Sequence, residues 1–578
     1  MTGPAAPKDP EKARPYFYIL KEKDIFGERQ KDGTGIQFIY ENDGRLINSA
    51  QITGNVTDKE ELTLLETVEG FGRLVHSIGV SVETDRPEET AEFVFQMYGK
   101  KDLYGGGTNL TTSLKCDGME HRIYLSDYRW TEDDHVPGQI KILFAAPERM
   151  GKVSVRLFLN DGYEAPPEEE DLVIDMHSEE YCGMISRSLL QLGNPYRIRK
   201  TIEKSKAGKE VTLAYIGGSI TQGAGAIPIH TECYAYKSFQ LFQNRFSTQN
   251  NVRFIKAGVG GTPSELGMIR FDRDVLREGE RPDIVVIEFA VNDEGDETKG
   301  VCYESLVRKV LKLPWKPAVV LLFSVFANDW NLQERLRPVG DLYDLPMVSI
   351  RDAVTPQFSL KCGEGRILSK NQFFYDIFHP NNTGHTIMAD CLQYLFERCD
   401  AAEPARVGTF VEGIMEEQIL SEKLSGPAVI GADFERIFLL DKKNRYVGAK
   451  IRAGSFTSTD IELQSVEMDG NLTQTPEFPY NWMYDGSRPQ MPGFEMEITC
   501  KSLFLIFKDS GETDVGKANV FVNDVYCMTA DPHKNNWLHC NAVLLFWETE
   551  SRSHKVRIAV TEEDRNKKFT ILGFGYTI

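Results

Sequence analysis

The chain has 578 residues, of which 41% are hydrophobic, so it is too long for one hydrophobic core and too apolar to be disordered. It carries 86 Asp and Glu against 66 Lys and Arg, a formal net charge of −20 at pH 7. An acidic surface repels phosphate backbones and anionic lipids. We therefore expect about two to four folded domains with no nucleic-acid partner and no membrane association.

Two further features of the composition concern the compartment. Residues 1–14 lack the apolar core of an export signal, and no apolar run reaches the length of about 18 residues that a membrane helix needs. The ten cysteines are scattered and form no CxxC pair. This pattern predicts reduced thiols in a cytoplasmic protein, with neither a disulfide framework nor a zinc site.

Residues 1–175 are predicted to form an N-terminal β-sandwich domain of the jelly-roll type. Segments such as Glu92–Met97 and Val153–Leu157 alternate apolar and polar residues, which is typical of half-buried strands. Glycine- and aspartate-rich turns separate these segments, and long helical periodicity is missing. The proline- and acid-rich stretch Pro166–Asp171 is predicted to end the domain.

Residues 185–402 alternate predicted strands and helices. The predicted strands are apolar, β-branched runs at Val211–Ile216, Val252–Ala257, Ile284–Phe289, Ala318–Val325 and Pro346–Ile350. Helical spacing occurs at Ser188–Lys206, Tyr236–Phe246, Tyr303–Leu313 and Gly384–Cys399. Continuously apolar strands are typical of a sheet that is buried on both faces. The prediction is therefore an α/β domain with a parallel sheet between layers of helices.

Residues 403–578 are again rich in predicted strands. Short apolar segments at Ser502–Phe507, Asn519–Asn523 and Lys555–Val560 are separated by turn residues. We predict a second β-sandwich, of the carbohydrate-binding type. Its tryptophans Trp482, Trp537 and Trp547 are predicted to pack in the core, with a glycan-binding platform as the alternative.

Polar residues that could take part in catalysis follow the strands of the predicted α/β domain. Ser219 comes after the first strand, the turn Gly258–Thr262 after the second, and Asn292 after the third. Asp376 and His379 precede the last helix. Since the carboxyl ends of parallel strands meet at one edge of a sheet, these residues are expected to lie together.

These residue types are the ones that acyl transfer requires. The hydroxyl of Ser219 is a weak nucleophile until a base takes its proton, and His379 is suited to that role. Asp376 would orient the imidazole and stabilise its charged form. The oxyanion of the tetrahedral intermediate needs preformed donors, for which the Ser219 and Gly261 amides and the Asn292 side chain are candidates.

The same residues resemble the four sequence blocks of the SGNH, or GDSL-type, hydrolase family. The blocks correspond here to Tyr215–Thr221, Gly258–Thr262, Asn292, and the pair Asp376 and His379. The resemblance implies a doubly wound, five-stranded parallel sheet in a flavodoxin-like three-layer fold. It also implies Ser219 as nucleophile, Gly261 and Asn292 as oxyanion donors, and His379 with Asp376 as base and orienting acid.

Two positions depart from the family pattern. Gly217–Ile220 reads Gly-Gly-Ser-Ile instead of Gly-Asp-Ser-Leu, which leaves the serine intact. Lys256 stands where the second block usually begins with Asn, so Gly260 is the alternative to Gly261. Thr221 occupies the last position of a G-x-S-x-G elbow, which argues against the α/β-hydrolase fold.

Other interpretations of these residues are structural. A serine after a strand is often only a helix cap, and paired glycines are often only a turn; the four blocks in order favour a catalytic site. Trp330 and Asp329, after the fourth strand, are predicted to contact substrate, with core packing as the alternative for Trp330. The acidic run Asp293–Glu297 is predicted to be a solvated rim, with a calcium loop as the alternative.

The family includes lipases, thioesterases and carbohydrate O-acetylesterases. Two flanking β-rich modules and the lack of an apolar lid favour the third class. We therefore predict a serine esterase that removes O-acetyl groups from xylo- or manno-oligosaccharides of plant polysaccharides through an acyl-enzyme, without metal or cofactor. The alternatives are a lipid or thioester hydrolase of the same fold and a non-catalytic glycan-binding protein. A homo-oligomer is compatible with each of these three functions.

Overall fold

The computed structural model describes residues 9, 12–40, 45–101, 105–277, 279–402, 412–467, 469 and 474–578. The predicted domain boundary at residue 403 and most of the N-terminal segment discussed above lie outside these ranges. Within them, no helix is both long enough and apolar enough to cross a membrane. The helices and strands fall into three consecutive groups, here called the N-terminal unit, the α/β unit and the C-terminal unit.

The N-terminal unit consists mainly of antiparallel strands. The strands are β1 (Tyr16–Phe26), β2 (Glu28–Arg29), β3 (Gly35–Tyr40), β4 (Val75–Thr84), β5 (Thr90–Gly99), β6 (Asn109–Lys115), β7 (His121–Tyr124), β8 (Asp134–Phe144) and β9 (Met150–Leu159). They form two sheets in the orders β1-β9-β4-β7 and β2-β3-β8-β5-β6. Both sheets contribute to one hydrophobic core, for example through Ile78 and Phe93.

Helices α1 (Arg45–Thr53), α2 (Lys59–Leu64) and α3 (Val68–Leu74) connect β3 to β4 and were not predicted. The last two begin at side-chain caps: Asp58 accepts hydrogen bonds from the first turn of α2, and Thr67 accepts one from Gly70 in α3. The predicted strands at Glu92–Met97 and Val153–Leu157 are confirmed as parts of β5 and β9.

The α/β unit alternates helices and strands. The strands are β10 (Leu189–Gln191), β11 (Val211–Gly217), β12 (Val252–Gly258), β13 (Ile284–Glu288), β14 (Ala318–Phe323) and β15 (Met347–Ser349). The helices are α4 (Glu179–Ser186), α5 (Tyr196–Lys206), α6 (Ser219–Gln222), α7 (Ile229–Glu232), α8 (Tyr234–Phe246), α9 (Ser264–Phe271), α10 (Val301–Leu311), α11 (Gln333–Tyr343), α12 (Ile350–Phe358), α13 (Lys370–Phe373) and α14 (Asn382–Ala401).

The central sheet has the strand order β10-β15-β14-β13-β11-β12. The last five strands are parallel and lie at the predicted positions, whereas β10 is an antiparallel edge strand. The predicted sheet of five strands is therefore corrected to six, and the helix predicted from Ser188 begins only at Tyr196. Alternate residues such as Leu213 and Ala214 enter two separate hydrophobic clusters, which places helices on both faces.

The C-terminal unit begins with helix α15 (Glu412–Ser425). Its strands are β16 (Phe438–Leu440), β17 (Ala449–Arg452), β18 (Ser465–Glu467), β19 (Gln474–Pro476), β20 (Trp482–Tyr484), β21 (Phe494–Asp509), β22 (Ala518–Val522), β23 (Val525–Ala530), β24 (His539–Val560) and β25 (Phe569–Thr577). Eight of them form one antiparallel sheet, where a sandwich of two sheets was predicted. The long strands β21 and β24 run through the whole unit and shift register twice.

Both flanking units pack directly on the α/β unit. Arg197 of α5 forms a two-pronged ion pair with Glu417 of α15, at 2.9 and 2.8 Å, although the predicted boundary assigns α15 to the third domain. Phe504 of β21 belongs to the hydrophobic cluster on one face of the central sheet. Arg366 of the α/β unit pairs with Glu169, in the segment that follows the N-terminal unit, at 2.5 Å. The domain boundaries themselves stay a prediction.

Candidate active site

The edge of the central sheet where the parallel strands end carries Ser219. This serine is the first residue of α6 and follows β11 after one intervening glycine. A Cβ atom at that glycine, Gly218, would lie only 2.2 Å from the side-chain oxygen of Asn292. The Asn292 side chain therefore packs against the backbone next to the serine, and a larger residue at position 218 would need this side chain to shift.

Ser219, His379 and Asp376 form a continuous chain of hydrogen bonds. The Nε2 atom of His379 lies 3.0 Å from Ser219 Oγ. The Nδ1 atom of the same ring lies 2.9 Å from Asp376 Oδ2. The side chains of His379 and Asp376 are 19% and 22% exposed, so solvent reaches the pair only in part. The structure thus brings the three predicted residues together.

The state of the Asp376 carboxyl group determines which nitrogen of His379 carries the proton. Burial raises the pKa of Asp376, but the positive charge and hydrogen bond of His379 and the N–H of Phe378 outweigh burial and lower this pKa to about 2. The carboxylate is then ionised at neutral pH and only accepts hydrogen bonds. His379 Nδ1–H is therefore the donor to Asp376, and the lone pair of Nε2 faces the Ser219 hydroxyl.

The turn that carries Asp376 and His379 is fixed by its own hydrogen bonds. Asp376 Oδ1 accepts the backbone N–H groups of Phe378 at 2.8 Å and His379 at 2.9 Å. The backbone oxygen of His379 accepts the N–H of Tyr375 at 2.8 Å. Asn381 then caps helix α14 by accepting the N–H of Gly384. The spacing of three residues between the two side chains is thus imposed by a tight turn before a capped helix.

The three groups predicted to bind the oxyanion have unused hydrogen-bonding atoms. In the part of the chain that the structure describes, the backbone N–H groups of Ser219 and Gly261 form no hydrogen bond. The buried amide oxygen of Asn292 also lacks a partner among these residues. Gly260 faces Ser219, since a Cβ atom on it would lie 3.8 Å from Ser219 Cβ, but its N–H is donated to Gln222 at 2.8 Å. Of the two glycines, Gly261 is therefore the one whose N–H is free.

The C-terminal unit reaches this turn. His539 Nε2 lies 2.9 Å from the backbone oxygen of Gly261, and Gln464 donates to the oxygen of Gly260 at 2.9 Å. Gly261 has a φ of +71°, and a Cβ atom on it would lie 2.8 Å from the Trp537 ring. Glycine is therefore needed at position 261, because it tolerates the positive φ and because a side chain there would collide with the Trp537 ring. Sequence reasoning missed His539 and Gln464, because nothing in their local pattern indicates a contact with a distant turn.

The three tryptophans of the C-terminal unit have different surroundings. Trp482 is 5% exposed and lies in the core of the unit, as predicted. Trp547 is 42% exposed and packs against Phe434 with ring centroids 5.0 Å apart, so the core prediction for it is wrong. Trp537 is 45% exposed and lies beside Gly261 and His539, so it is a surface residue at the site and the core prediction for it is wrong.

Trp330 lies at the end of a row of aromatic rings that starts at His379. The Phe378 ring centroid is 6.1 Å from that of His379, Phe326 is 5.1 Å from Phe378, and Trp330 stacks on Phe326 at 5.7 Å. Asp329 has a φ of +65° and pairs with a lysine of α13 at 3.1 Å. Trp330 is thus at the predicted edge, and contact of these two residues with substrate stays a prediction.

The acidic run next to Asn292 is a solvated rim only in part: Glu294 and Glu297 are exposed, as predicted, whereas its two aspartates are not. Asp293 and Asp296 are fully buried and accept backbone N–H groups of Ser264 at 2.7 Å and Gly300 at 2.6 Å. The run stays polar inside the protein because these bonds hold a loop closed behind the site. Among the described residues, no group of three or more His, Cys, Asp and Glu side chains has the arrangement of a metal site.

Two buried titratable residues support the segment after Ser219. Burial raises the pKa of Glu288 to about 7, and its carboxyl accepts the Thr221 hydroxyl at 3.1 Å. Burial lowers the pKa of His385 to about 3, so this ring is neutral. Its Nδ1 accepts the Tyr234 N–H and its Nε2–H donates to the Ala224 oxygen, each at 3.1 Å. Both residues fix backbone around the serine without touching its hydroxyl.

The sequence of this unit matches a known family. Residues 215–387 match the GDSL-like Lipase/Acylhydrolase family, and this segment contains all the predicted blocks. The chain therefore carries a GDSL-like hydrolase domain and is a carboxylic ester hydrolase, which confirms the resemblance inferred from the four blocks.

One solved structure with a similar fold extends the comparison beyond that domain. A two-domain esterase (CEX) active on acetylated mannans is 24% identical with a TM-score of 0.55, and the match covers 68% of this chain and 98% of that one. A second structure of that esterase was co-crystallised with mannopentaose. The acetylxylan esterase Axe2 from Geobacillus stearothermophilus is 19% identical over 34% of this chain and 97% of its own, with a TM-score of only 0.26. No curated protein matches the sequence.

Proposed function

We propose that the chain is a serine esterase that removes O-acetyl groups from acetylated xylo- or manno-oligosaccharides. The observation that carries this proposal is the hydrogen-bonded series Ser219, His379 and Asp376 at the sheet edge of a GDSL-like domain. The preference for carbohydrate is supported by the similar fold of an esterase active on acetylated mannans. The proposed substrate is uncharged, as suits a protein with a net charge of −20.

In the proposed acylation step, Ser219 Oγ attacks the carbonyl carbon of the acetyl group while His379 Nε2 takes the hydroxyl proton. The ionised Asp376 stabilises the imidazolium that forms. The C–O bond to the sugar then breaks, and the sugar oxygen leaves with the proton from His379 Nε2. The products of this step are the free sugar hydroxyl and an acetylated serine.

The negative charge of the tetrahedral intermediate requires donors that are already in place. The free N–H groups of Ser219 and Gly261 and the side-chain amide of Asn292 are the proposed donors. Their backbone is held by packing against Asn292 on one side and by His539 on the other, so little reorganisation is needed. Preorganised donors of this kind are worth about two to three orders of magnitude in rate each.

Deacylation repeats the same proton transfers with water as the nucleophile. His379 Nε2 takes one proton from a water molecule as the water oxygen attacks the acetyl carbonyl, and this proton passes to Ser219 Oγ when the bond to the serine breaks. Acetic acid leaves with the second proton of the water and ionises to acetate in solvent. Each atom and proton is accounted for by the residues already named. The chemistry therefore needs no group beyond this chain, water and the ester.

The aromatic row that ends at Trp330 supports a carbohydrate leaving group. Aromatic faces beside a site pack well against the apolar faces of sugar rings. Phe378 is 37% exposed and lies next to His379. A sugar whose acetyl group is placed at Ser219 would therefore contact the Phe378 ring. A lipid hydrolase would instead need a long apolar channel for the acyl chain.

The test is acetate release from acetylated xylo- and manno-oligosaccharides by the wild type and by Ser219→Ala. We expect release by the wild type and a loss of about four to six orders of magnitude in the variant. A series of p-nitrophenyl esters from acetate to palmitate measures acyl preference in parallel. Faster cleavage of long chains than of acetate would favour a lipid hydrolase, and wild-type activity unchanged in Ser219→Ala would overturn the mechanism.

A further inference from the structure

A cavity of about 420 Å³ lies between the N-terminal unit and the α/β unit. One wall comes from β1 and α1, with residues such as Tyr18 and Gln51, and the other comes from the loop after β14, with Ala327 and Asn328. Its volume lies within the range of roughly 300–1,000 Å³ that is usual for small-molecule sites. The mechanism above does not use this cavity.

The cavity adjoins the turn that carries Asp376 and His379. Ile377 lines it and stands in the chain directly after Asp376. The backbone oxygen of Ile377 accepts the N–H of Ala327 at 2.9 Å, which joins the turn of the triad to the loop that carries Phe326 and Trp330. The cavity is therefore bordered by the turn of the proposed triad and by the loop that begins the aromatic row.

The charges around the cavity cancel. Three cationic and three acidic side chains line it, namely Lys21, Arg366, Lys370, Glu168, Glu169 and Asp171. Each cation is paired: Lys21 with Glu168 at 3.2 Å, Arg366 with Glu169 at 2.5 Å, and Lys370 with Asp329 at 3.1 Å. Asp171 also pairs with Arg366, at 3.6 Å, so every charged side chain at the cavity has a partner of opposite charge, and the cavity suits a neutral ligand better than a phosphate or a carboxylate.

The remaining polar groups are of the kind that binds hydroxyls. The side-chain amides of Asn48 and Gln51 make no hydrogen bond with any residue that the structure describes. Each amide offers two donors and one acceptor. The rings of Tyr16, Tyr18 and Phe358 supply apolar faces in the same cavity. Free amides beside aromatic rings match the alternation of hydroxyls and apolar faces on a sugar.

We infer that this cavity binds unacetylated sugar units of the same oligosaccharide whose acetyl group lies at Ser219. The inference rests on the proposed function for the identity of the sugar chain. It gives the N-terminal unit a direct part in substrate selection, since one wall of the cavity comes from β1 and α1. Longer oligosaccharides are then bound more tightly than short ones, whereas the hydrolysis of a small acetyl ester does not depend on the cavity.

The test fills the cavity with Gln51→Trp, which changes an exposed residue on α1 and leaves the active-site residues untouched. Gln249→Trp, at an exposed residue that does not line the cavity, is the matched control. Both are combined with Ser219→Ala, and binding of unacetylated manno- and xylo-oligosaccharides of increasing length is measured by calorimetry. Thermal melting of each variant checks that it is folded, and Asn48→Ala provides a second variant that removes only an amide.

We expect Gln51→Trp to weaken binding of the longest oligosaccharide by about tenfold, and the control to leave it unchanged. In the catalytically active background, cleavage of p-nitrophenyl acetate is expected to stay at the wild-type rate. Equal binding by the Gln51→Trp and Gln249→Trp variants, or no binding of any oligosaccharide by Ser219→Ala, would overturn the inference. Failure of the wild type to deacetylate oligosaccharides that it binds would instead overturn the proposed function alone.

Discussion

The Asp376 carboxylate accepts two backbone N–H groups on one oxygen and the His379 ring on the other. Its first oxygen holds the turn, and its second selects the proton position on the imidazole. An amide at this position would donate to Nδ1 instead of accepting from it, so Nε2 would carry the proton and could not act as a base. Under the proposed mechanism, replacing one oxygen of this carboxylate by an amide nitrogen is therefore expected to inactivate the site.

Asp376→Asn is accordingly expected to lower kcat by about four orders of magnitude, as amide substitution does in such triads. Steady-state kinetics with p-nitrophenyl acetate measures the loss. Asp341→Asn, at a side chain 47% exposed on α11, is the matched control and is expected to keep full activity. A fall of less than tenfold in Asp376→Asn would show that another group orients His379.

Asn292 is the second residue whose role a single substitution tests. Asn292→Ala is expected to lower kcat by about two to three orders of magnitude, because one donor to the developing oxyanion is removed. KM is expected to change little, since the donor acts mainly in the transition state. A raised KM with unchanged kcat would instead assign Asn292 to substrate binding.

The residues of the triad were predictable because their signal is local. Ser219 follows a strand, and Asp376 and His379 are three residues apart in one turn, so spacing and residue type were sufficient. The choice between Gly260 and Gly261 was not predictable from spacing. It depends on whether Gln222 takes one of the two N–H groups, which only the packed structure shows.

Among the elements, strand β13 ends in a buried acid. Glu288 is fully buried, and burial raises its pKa to about 7 from an ordinary value of 4.5. The folded state thus holds a proton that the unfolded chain releases between these pH values. Stability from this group is complete below pH 4.5 and is lost as the pH rises to 7, by about 1.4 kcal/mol for each pH unit.

Glu288→Gln removes this titration while it keeps an acceptor for Thr221. The variant is expected to be more stable than the wild type at pH 8, by up to about 3 kcal/mol in the free energy of unfolding. The difference is expected to vanish near pH 4.5, where the acid is protonated in both states. Thermal melting of both proteins across this pH range measures it. A constant difference at all pH values would show that Glu288 does not carry the proton.

The five parallel strands were predictable because their apolar runs are continuous and flanked by turns. Strand β10 was not, because its three residues are too few to show a period and they precede a strong helical pattern. Helix α15 was placed in the third domain, yet it pairs through Glu417 with the α/β unit. Short edge strands and docking helices follow from tertiary contacts, which leave little trace in local sequence.

At the scale of the whole molecule, the site is assembled from distant parts of the chain. The α/β unit supplies Ser219, His379 and Asp376, whereas His539 of β24 holds the Gly261 carbonyl. Burial lowers the pKa of His539, although the bond to Gly261 opposes this, so the ring is neutral and donates one N–H. The predicted division into three domains gave no reason to expect this sharing.

His539→Ala is expected to lower kcat by about tenfold, because the loss of one hydrogen bond worth about 1.4 kcal/mol leaves the Gly261 amide less well placed. KM is expected to remain within about twofold, since His539 is a positioning residue. His539→Gln, which can still donate to the carbonyl, is expected to restore part of kcat. His533→Ala, on an exposed loop of the same unit, is the control. No change in kcat would remove His539 from the site.

The contact between His539 and Gly261 also has a consequence for biosynthesis. It joins residues 278 positions apart, whereas Ser219 and His379 are 160 positions apart. A ribosome therefore releases Ser219 and His379 well before it releases His539. A nascent chain that has emerged only as far as the α/β unit is expected to contain an assembled triad that turns over slowly, and full activity is expected only once β24 has been synthesised and has docked.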